Sequence, residues 1–301
     1  MVLDRQVDGG PSRADGGGME VSTGKLFDGL FDDAALFPPG DAPMADAVPA
    51  HRQLRSRFGD LVGPFVVPAA RLDELGAVLD DGDPFPVSLI AAVGALPAAL
   101  SRVVEDSRLR LAAVEVPGAQ DGPGTVEALR VIANVAPPGT PVAVELPRTA
   151  ARDDVLDVLA GTGHRAKLRT GGLTADLFPD AAELAGTLAA CVRRAVAFKC
   201  TAGLHHAVRH TDPTTGFPHH GFLNVLLAVD ALAAGAPPRV AADWLREERP
   251  SDVEAAFRTW SAARSSRARD VFTSFGTCSI AEPVEDLVGM GLLPSPERTP
   301  A

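Results

Sequence analysis

LRLAAVEVPG (109–118), TPVAVELPR (140–148), RAKLRTGG (165–172) and AVAFKCTAG (195–203) decide the fold. Each is a short apolar run closed by Gly or Pro, which reads as a buried strand. Helical patterns lie between them, over Gly124–Ala136 and Ala181–Arg194. The same alternation extends in both directions. LVGPFVVPA (61–69) and PFPVSLIAAVG (84–94) read as earlier strands, followed by helices over Ala70–Leu79 and Leu96–Glu105. DVFTSFGTCS (270–279) reads as the last strand, with a closing helix over Pro283–Met290, and an opening strand near Asp33–Phe37 brings the count to eight. Strands alternating with helices make parallel βαβ units. Eight units in about 270 residues is the size of a (βα)8 barrel. A doubly wound open sheet is the competing arrangement, but it favours GxGxxG after its first strand, and the chain has none there.

The strand 7–8 connection is expanded. It holds a polar loop, LHHAVRHTDPTTGFPHHG (204–221), an apolar helix, FLNVLLAVDALAAG (222–235), and SDVEAAFRTW (251–260). Ser251 with Glu254 reads as a capping box, and Val253, Phe257 and Trp260 as a core stripe. In this reading residues 1–22 are a disordered leader, 23–293 one barrel domain and 294–301 a flexible tail.

Composition narrows the setting. The chain has 301 residues, 46% hydrophobic and 22% charged, with a net charge of −11. That is a folded rather than a disordered composition. The acidic balance argues against a nucleic-acid or anionic-membrane surface, and no apolar stretch is long enough to span a bilayer. Three scattered cysteines, Cys191, Cys200 and Cys278, make neither a disulfide framework nor a CxxC zinc site. A cytoplasmic protein is expected, and a homo-oligomer is compatible with this reading.

Lysine usage is more pointed. Of 28 basic residues only three are Lys, namely Lys25, Lys167 and Lys199. Where surface cations are written as Arg, a retained Lys suggests chemistry that needs an amine able to lose its proton. Strand side chains alternate between faces. That places Glu115 with Ala113, Glu145 with Ala143, Lys167 with Arg165 and Arg169, and Lys199 with Ala197 and Thr201. If this parity faces the lumen, Glu115, Glu145, Lys167, Arg169 and Lys199 converge on one pocket. Burying so many charges is costly without a functional reason.

Five of the seven histidines lie within 16 residues: His205, His206, His210, His219 and His220. They are candidates for acid/base roles, with His205 and His206 foremost, or for a zinc, iron or manganese site. Residues 165–220 carry seven Lys/Arg against four Asp/Glu, which favours an anionic small-molecule ligand. Arg169, Thr170, Gly171 and Gly172 form a turn whose amides could approach a phosphate or carboxylate, and Ser274, Gly276 and Thr277 could complete that site. Cys278 has no partner legible from the sequence.

RAKLRTGG and AFKCTAGL resemble the paired lysine strands of deoxyribose-phosphate aldolase and related class I aldolase barrels, over about 45 residues. The resemblance implies that Lys167 forms a Schiff base, that Lys199 tunes it, and that Glu115 or Glu145 takes the family's acid/base Asp role. Strand seven runs on into AGLHH where that family has a Gly-Gly phosphate turn.

The expected function is a Schiff-base lyase or isomerase acting on a small anionic carbonyl compound, with no cofactor. The alternatives are a metal-dependent barrel hydrolase or lyase using the His205–His206 loop, with Glu145 as a further ligand, and a non-catalytic barrel that binds an anionic metabolite.

Overall fold

The computed structural model describes residues 24–118 and 122–295, so the expected leader and all but the first two residues of the expected tail lie outside the described residues. Eight parallel strands close into a barrel: β1 (Phe31–Asp33), β2 (Val62–Pro68), β3 (Phe85–Ile90), β4 (Leu109–Val116), β5 (Val142–Glu145), β6 (Arg165–Arg169), β7 (Phe198–Thr201) and β8 (Phe272–Thr277). Each strand pairs with its sequence neighbours, and β8 closes on β1 through Phe31–Phe275, Asp32–Gly276 and Asp33–Thr277. With helices between the strands, this is a (βα)8 TIM-type barrel.

Strand parity divides the residues cleanly. Phe31, Phe65, Val87, Leu89, Val114, Val144, Ala166, Phe198, Cys200 and Phe275 face the helices and are almost wholly buried there. The alternate positions carry Asp32, Ser88, Glu115, Glu145, Lys167 and Lys199 into the lumen. The apolar layer between strands and helices therefore holds the barrel together, and the polar residues are inside it.

The opening strand comes two residues earlier than Asp33–Phe37. The chain leaves the sheet after Asp33, whose carboxylate accepts from the Ala35 amide, and a turn closes from Phe37 N to Ala34 O. β7 is also shorter than 195–203. Ala195 at φ 52° ends the preceding helix, and Ala202 and Gly203 at φ 61° and 76° turn the chain out of the strand. The helix Leu96–Glu105 has the expected limits. A helix over Met44–Phe58, containing Pro49, was not legible from the pattern; it buries Met44, Ala47, Val48 and His51.

The strand 7–8 connection is expanded, as expected. It contains a small hairpin pairing His210–Thr211 with Pro218–His219, then helices over Phe222–Ala233, Pro238–Arg246, Pro250–Phe257 and Ala262–Val271. The first of these is buried on nearly every side, which explains its unbroken apolar sequence. The Ser251–Glu254 capping box is not formed. The helix begins at Pro250, Ser251 donates to Asp252, and Glu254 is taken by Arg258. Side-chain caps occur instead at Asp180, which accepts from Ala182 N and Glu183 N, and at Ser261, which accepts from Arg264 N. The stripe is core, with Phe257 and Trp260 ring centroids 4.5 Å apart.

Candidate active site in the barrel lumen

The register sets Glu145, Lys167 and Lys199 side by side on β5, β6 and β7, with Ser274 next on β8. Glu115 on β4 reaches across to both lysines. Its Oε2 lies 2.9 Å from Lys167 Nζ, and its Oε1 accepts from Lys199 Nζ at 2.5 Å and from Ser88 Oγ at 2.9 Å. Lys199 Nζ also donates to Asp32 Oδ2 at 2.7 Å, which accepts in addition from Ser274 Oγ at 2.8 Å. Toward the ends of β5 and β6, Glu145 Oε2 is 3.7 Å from Lys167 Nζ, and its Oε1 accepts from Arg169 Nε at 3.1 Å.

The result is a chain of alternating charge, Asp32–Lys199–Glu115–Lys167–Glu145–Arg169. Side-chain exposure is 5% or less from Asp32 to Lys167 and rises to 20% at Glu145 and 35% at Arg169. The open side is the C-terminal end of the strands, where barrels of this type carry their chemistry.

Electrostatics separates the two lysines. Burial opposes the Lys199 ammonium, but Asp32 and Glu115 together outweigh it and hold its pKa well above the ordinary lysine value. Burial likewise opposes the Glu115 carboxylate, and the two ammonium groups overcome it, holding the acid far below 4.5. At Asp32 burial prevails over Lys199, and its pKa is raised. Simple repulsion between two bare ammonium groups is therefore not the operative effect, because Glu115 stands between them. Lys199 is fixed as a cation by two carboxylates, whereas Lys167 has one close carboxylate and a second at 3.7 Å.

The other expected site residues divide. Ser274 joins the network through Asp32. Thr170 is buried and its hydroxyl is spent on the Ala202 and Thr201 carbonyls. Thr277 donates to Ser279 O. Gly171 packs on Gly203, and Gly172 on Leu177; a Cβ on either glycine would come within 3.0 Å of those neighbours. These two glycines thus have a packing reason to be present. Arg169 lines a rim cavity of about 330 Å³ together with Arg148 and Arg152.

Four histidines gather in the loop after β7. Ring centroids lie 4.7 Å apart for His206 and His210, 5.1 Å for His210 and His219, and 6.4 Å for His205 and His219. Each Nδ1 is anchored: His205 to Glu282, His206 to Asp286, His210 to Val208 O and His219 to Gly203 O. His220 stands apart, buried, with its Nε2 donating to Pro179 O and its Nδ1 facing Arg209. Among the described residues, no group of three or more His, Cys, Asp or Glu is arranged to hold a metal ion. Cys278, which has no partner legible in the sequence, lies 3.8 Å from His205 Nδ1.

Asp32 and Ser88 belong to the lumen network and were missed by sequence reasoning. Asp32 was recoverable in principle, since FDD (31–33) sets one acidic residue on each face of a short strand. Its neighbour Asp33 points the other way, to buried His51 at 2.9 Å. Ser88 had no signal beyond its parity within β3.

Against known proteins, the chain matches no protein-family model and no curated sequence.

Proposed function

We propose that the protein is a barrel enzyme of the Schiff-base type, a lyase or isomerase acting on a small anionic carbonyl compound, with Lys167 as the nucleophile. The observation that carries this reading is the unequal holding of the two lumen lysines. Lys199 is pinned as an ammonium between Asp32 and Glu115, so the amine available to attack a carbonyl is that of Lys167. Its position also corresponds to that of the Schiff-base lysine in the class I aldolase barrels that RAKLRTGG and AFKCTAGL resemble.

In this account Lys167 gives up a proton to Glu145 and its Nζ adds to the substrate carbonyl carbon. The carbinolamine then loses its oxygen as water, taking the proton back from Glu145, and a protonated imine remains. That cation draws the electron pair of an adjacent C–C or C–H bond as it breaks. The Glu145 carboxylate takes the proton released, from the carbon itself or from the hydroxyl that becomes the departing carbonyl, and Lys199, held nearby as a fixed positive charge, favours the electron-rich intermediate. Addition of water releases the amine. Arg169, at the exposed end of the charged network, takes the anionic end of the substrate. Three free cysteines accord with action in the reducing cytoplasm.

The test works without the substrate being identified first. Imine formation lets a carbonyl compound exchange its α-hydrogens with solvent deuterium. Wild-type protein is expected to catalyse this exchange on at least one member of a panel of small phosphorylated or carboxylated aldehydes and ketones. Lys167→Arg keeps the charge and removes the accessible amine, so exchange should fall to background. An active Lys167→Arg protein would sink the covalent role.

A further inference from the structure

A second cavity, of about 320 Å³, lies at the opposite end of the barrel from the rim just described. Gly29 before β1, Pro141 before β5, Arg165 at the start of β6 and Thr273 near the start of β8 line its outer part. Asp32, Glu115 and Lys199 form its inner end. The cavity thus approaches the charged network from the N-terminal ends of the strands, a face at which barrels of this type seldom place chemistry.

Two arginines line this cavity with no carboxylate in ion-pair contact among the described residues; Asp32 attracts both, and Asp28 attracts Arg269, only at longer range. The Arg165 side chain makes no hydrogen bond or ion pair among the described residues, and the only carboxylate that attracts it, Asp32, does so from beyond contact. Arg269, from the helix Ala262–Val271, donates only to backbone carbonyls, Phe272 O at 2.8 Å and Asp28 O at 2.9 Å. The charge count makes the imbalance explicit. The lumen carboxylates are committed elsewhere: Asp32 to Lys199, Glu115 to both lysines, and Glu145 to Arg169 and Lys167. The exposed Asp28 accepts from Arg269 at its carbonyl, and its carboxylate attracts Arg269 only at longer range. Two guanidinium groups are left in one cavity with no carboxylate in contact with either. Burial depresses both guanidinium pKa values, that of Arg269 to about 10; attraction from Asp32 offsets part of this at both, and repulsion from Arg165 adds to it at Arg269. Both groups stay charged near neutral pH while lacking the partner that a half-buried charge needs.

We propose that this cavity is a binding site for a compact oxyanion carrying about two negative charges, a phosphate group gripped by Arg165 and Arg269 at the N-terminal end of the barrel. A guanidinium fork matches phosphate oxygens, and two guanidinium groups without a contacting carboxylate suit a doubly charged oxyanion. The volume exceeds that of a bare phosphate and falls in the range of small-ligand pockets, leaving room for a few further atoms. This site does not depend on the Schiff-base reading and is separate from the rim at Arg169.

The experiment is calorimetric titration of the full-length protein with inorganic phosphate and, separately, with glycerol phosphate. Wild type is expected to bind at Arg165, with Arg165→Gln weakening the affinity at least about tenfold, or 1.4 kcal/mol. Because the Arg165 side chain makes no hydrogen bond among the described residues, its replacement should leave the circular dichroism and melting temperature of the free protein unchanged. Arg269→Lys keeps the charge but loses the fork, and should weaken binding as well. Lys167→Arg and Arg169→Gln should retain the phosphate site, so failure of the Schiff-base reading would leave this one standing. Equal affinity for the two probes would identify free phosphate as the ligand, and tighter binding of the ester a phosphorylated metabolite; both support the site. No binding to wild type, undiminished binding to Arg165→Gln, or loss with Arg169→Gln alone would overturn it.

Discussion

Lys199 and Glu115 are the residues on which the lumen is built, and each makes a measurable demand on stability. Lys199→Met leaves Asp32 and Glu115 buried, with the cation that both approached removed. Breaking one partner out of a buried ion network costs about 3–5 kcal/mol, so urea unfolding should show a large loss for this substitution. The pH dependence follows from the shifts. Glu115 is depressed in the fold, so its contribution is present above its unfolded value of about 4.5 and is lost as pH falls through the folded value. Lys199 is raised, so its contribution is present below about 10.5 and is lost as pH rises through the folded value. Asp32, also raised, acts with the opposite sign to Glu115 at the acid end. Denaturation midpoints measured against pH should therefore fall at both extremes for wild type. The acid limb should flatten in Glu115→Gln and the alkaline limb in Lys199→Met. That these residues share one face was legible from alternation, with apolar Val114, Val144, Ala166 and Cys200 on the other; that the charged face is the lumen was not, because in a barrel both faces of a strand are covered and parity is only relative. Which carboxylate touches which lysine was not legible, since that depends on the stagger between strands.

At the scale of elements, the ends of β6 and β7 are joined by backbone contact. A Cβ on Gly171 would lie 2.8 Å from Gly203 Cα and 2.9 Å from the Phe178 ring, and Gly203 itself sits at φ 76° with Thr170 O 2.8 Å from where its Cβ would be. Gly203→Ala should cost roughly 1–3 kcal/mol in urea unfolding, from the left-handed conformation and the lost space. By drawing the two strand ends apart it should also reduce any activity that needs Lys167 and Lys199 in register. The sequence shows glycines here but not their purpose, and a Gly-Gly turn at a strand end reads equally well as an anion cradle. Similar ambiguity explains the shifted opening strand. FDDAALF has no alternation that separates strand from turn, and it is the Asp33 side chain bonding to the Ala35 amide that ends the pairing. The helix Met44–Phe58 was hidden by Pro49, its sixth residue, which breaks helical reading.

Over the whole molecule, a barrel closed by apolar contacts encloses a column of alternating charge with a cavity at each end. The barrel could be read from eight short apolar runs spaced by helices, a long-range pattern that survives errors of a few residues at each boundary. The N-terminal cavity could not, because Arg165 reads simply as one more charge on a lysine strand and Arg269 belongs to a helix about a hundred residues away. The chain's net charge of −11 makes the unpaired arginines inside it a local reversal of sign. The central claim is that Lys167, and not Lys199, supplies the nucleophilic amine. The most direct measurement is borohydride trapping with the carbonyl compound that gives α-hydrogen exchange, followed by peptide mass spectrometry across Lys25, Lys167 and Lys199. A single reduced adduct on the peptide carrying Lys167, absent from Lys167→Arg and still formed in Lys25→Arg, is the expected result. An adduct on Lys199, or equal labelling of surface Lys25 and Lys167, would contradict the account.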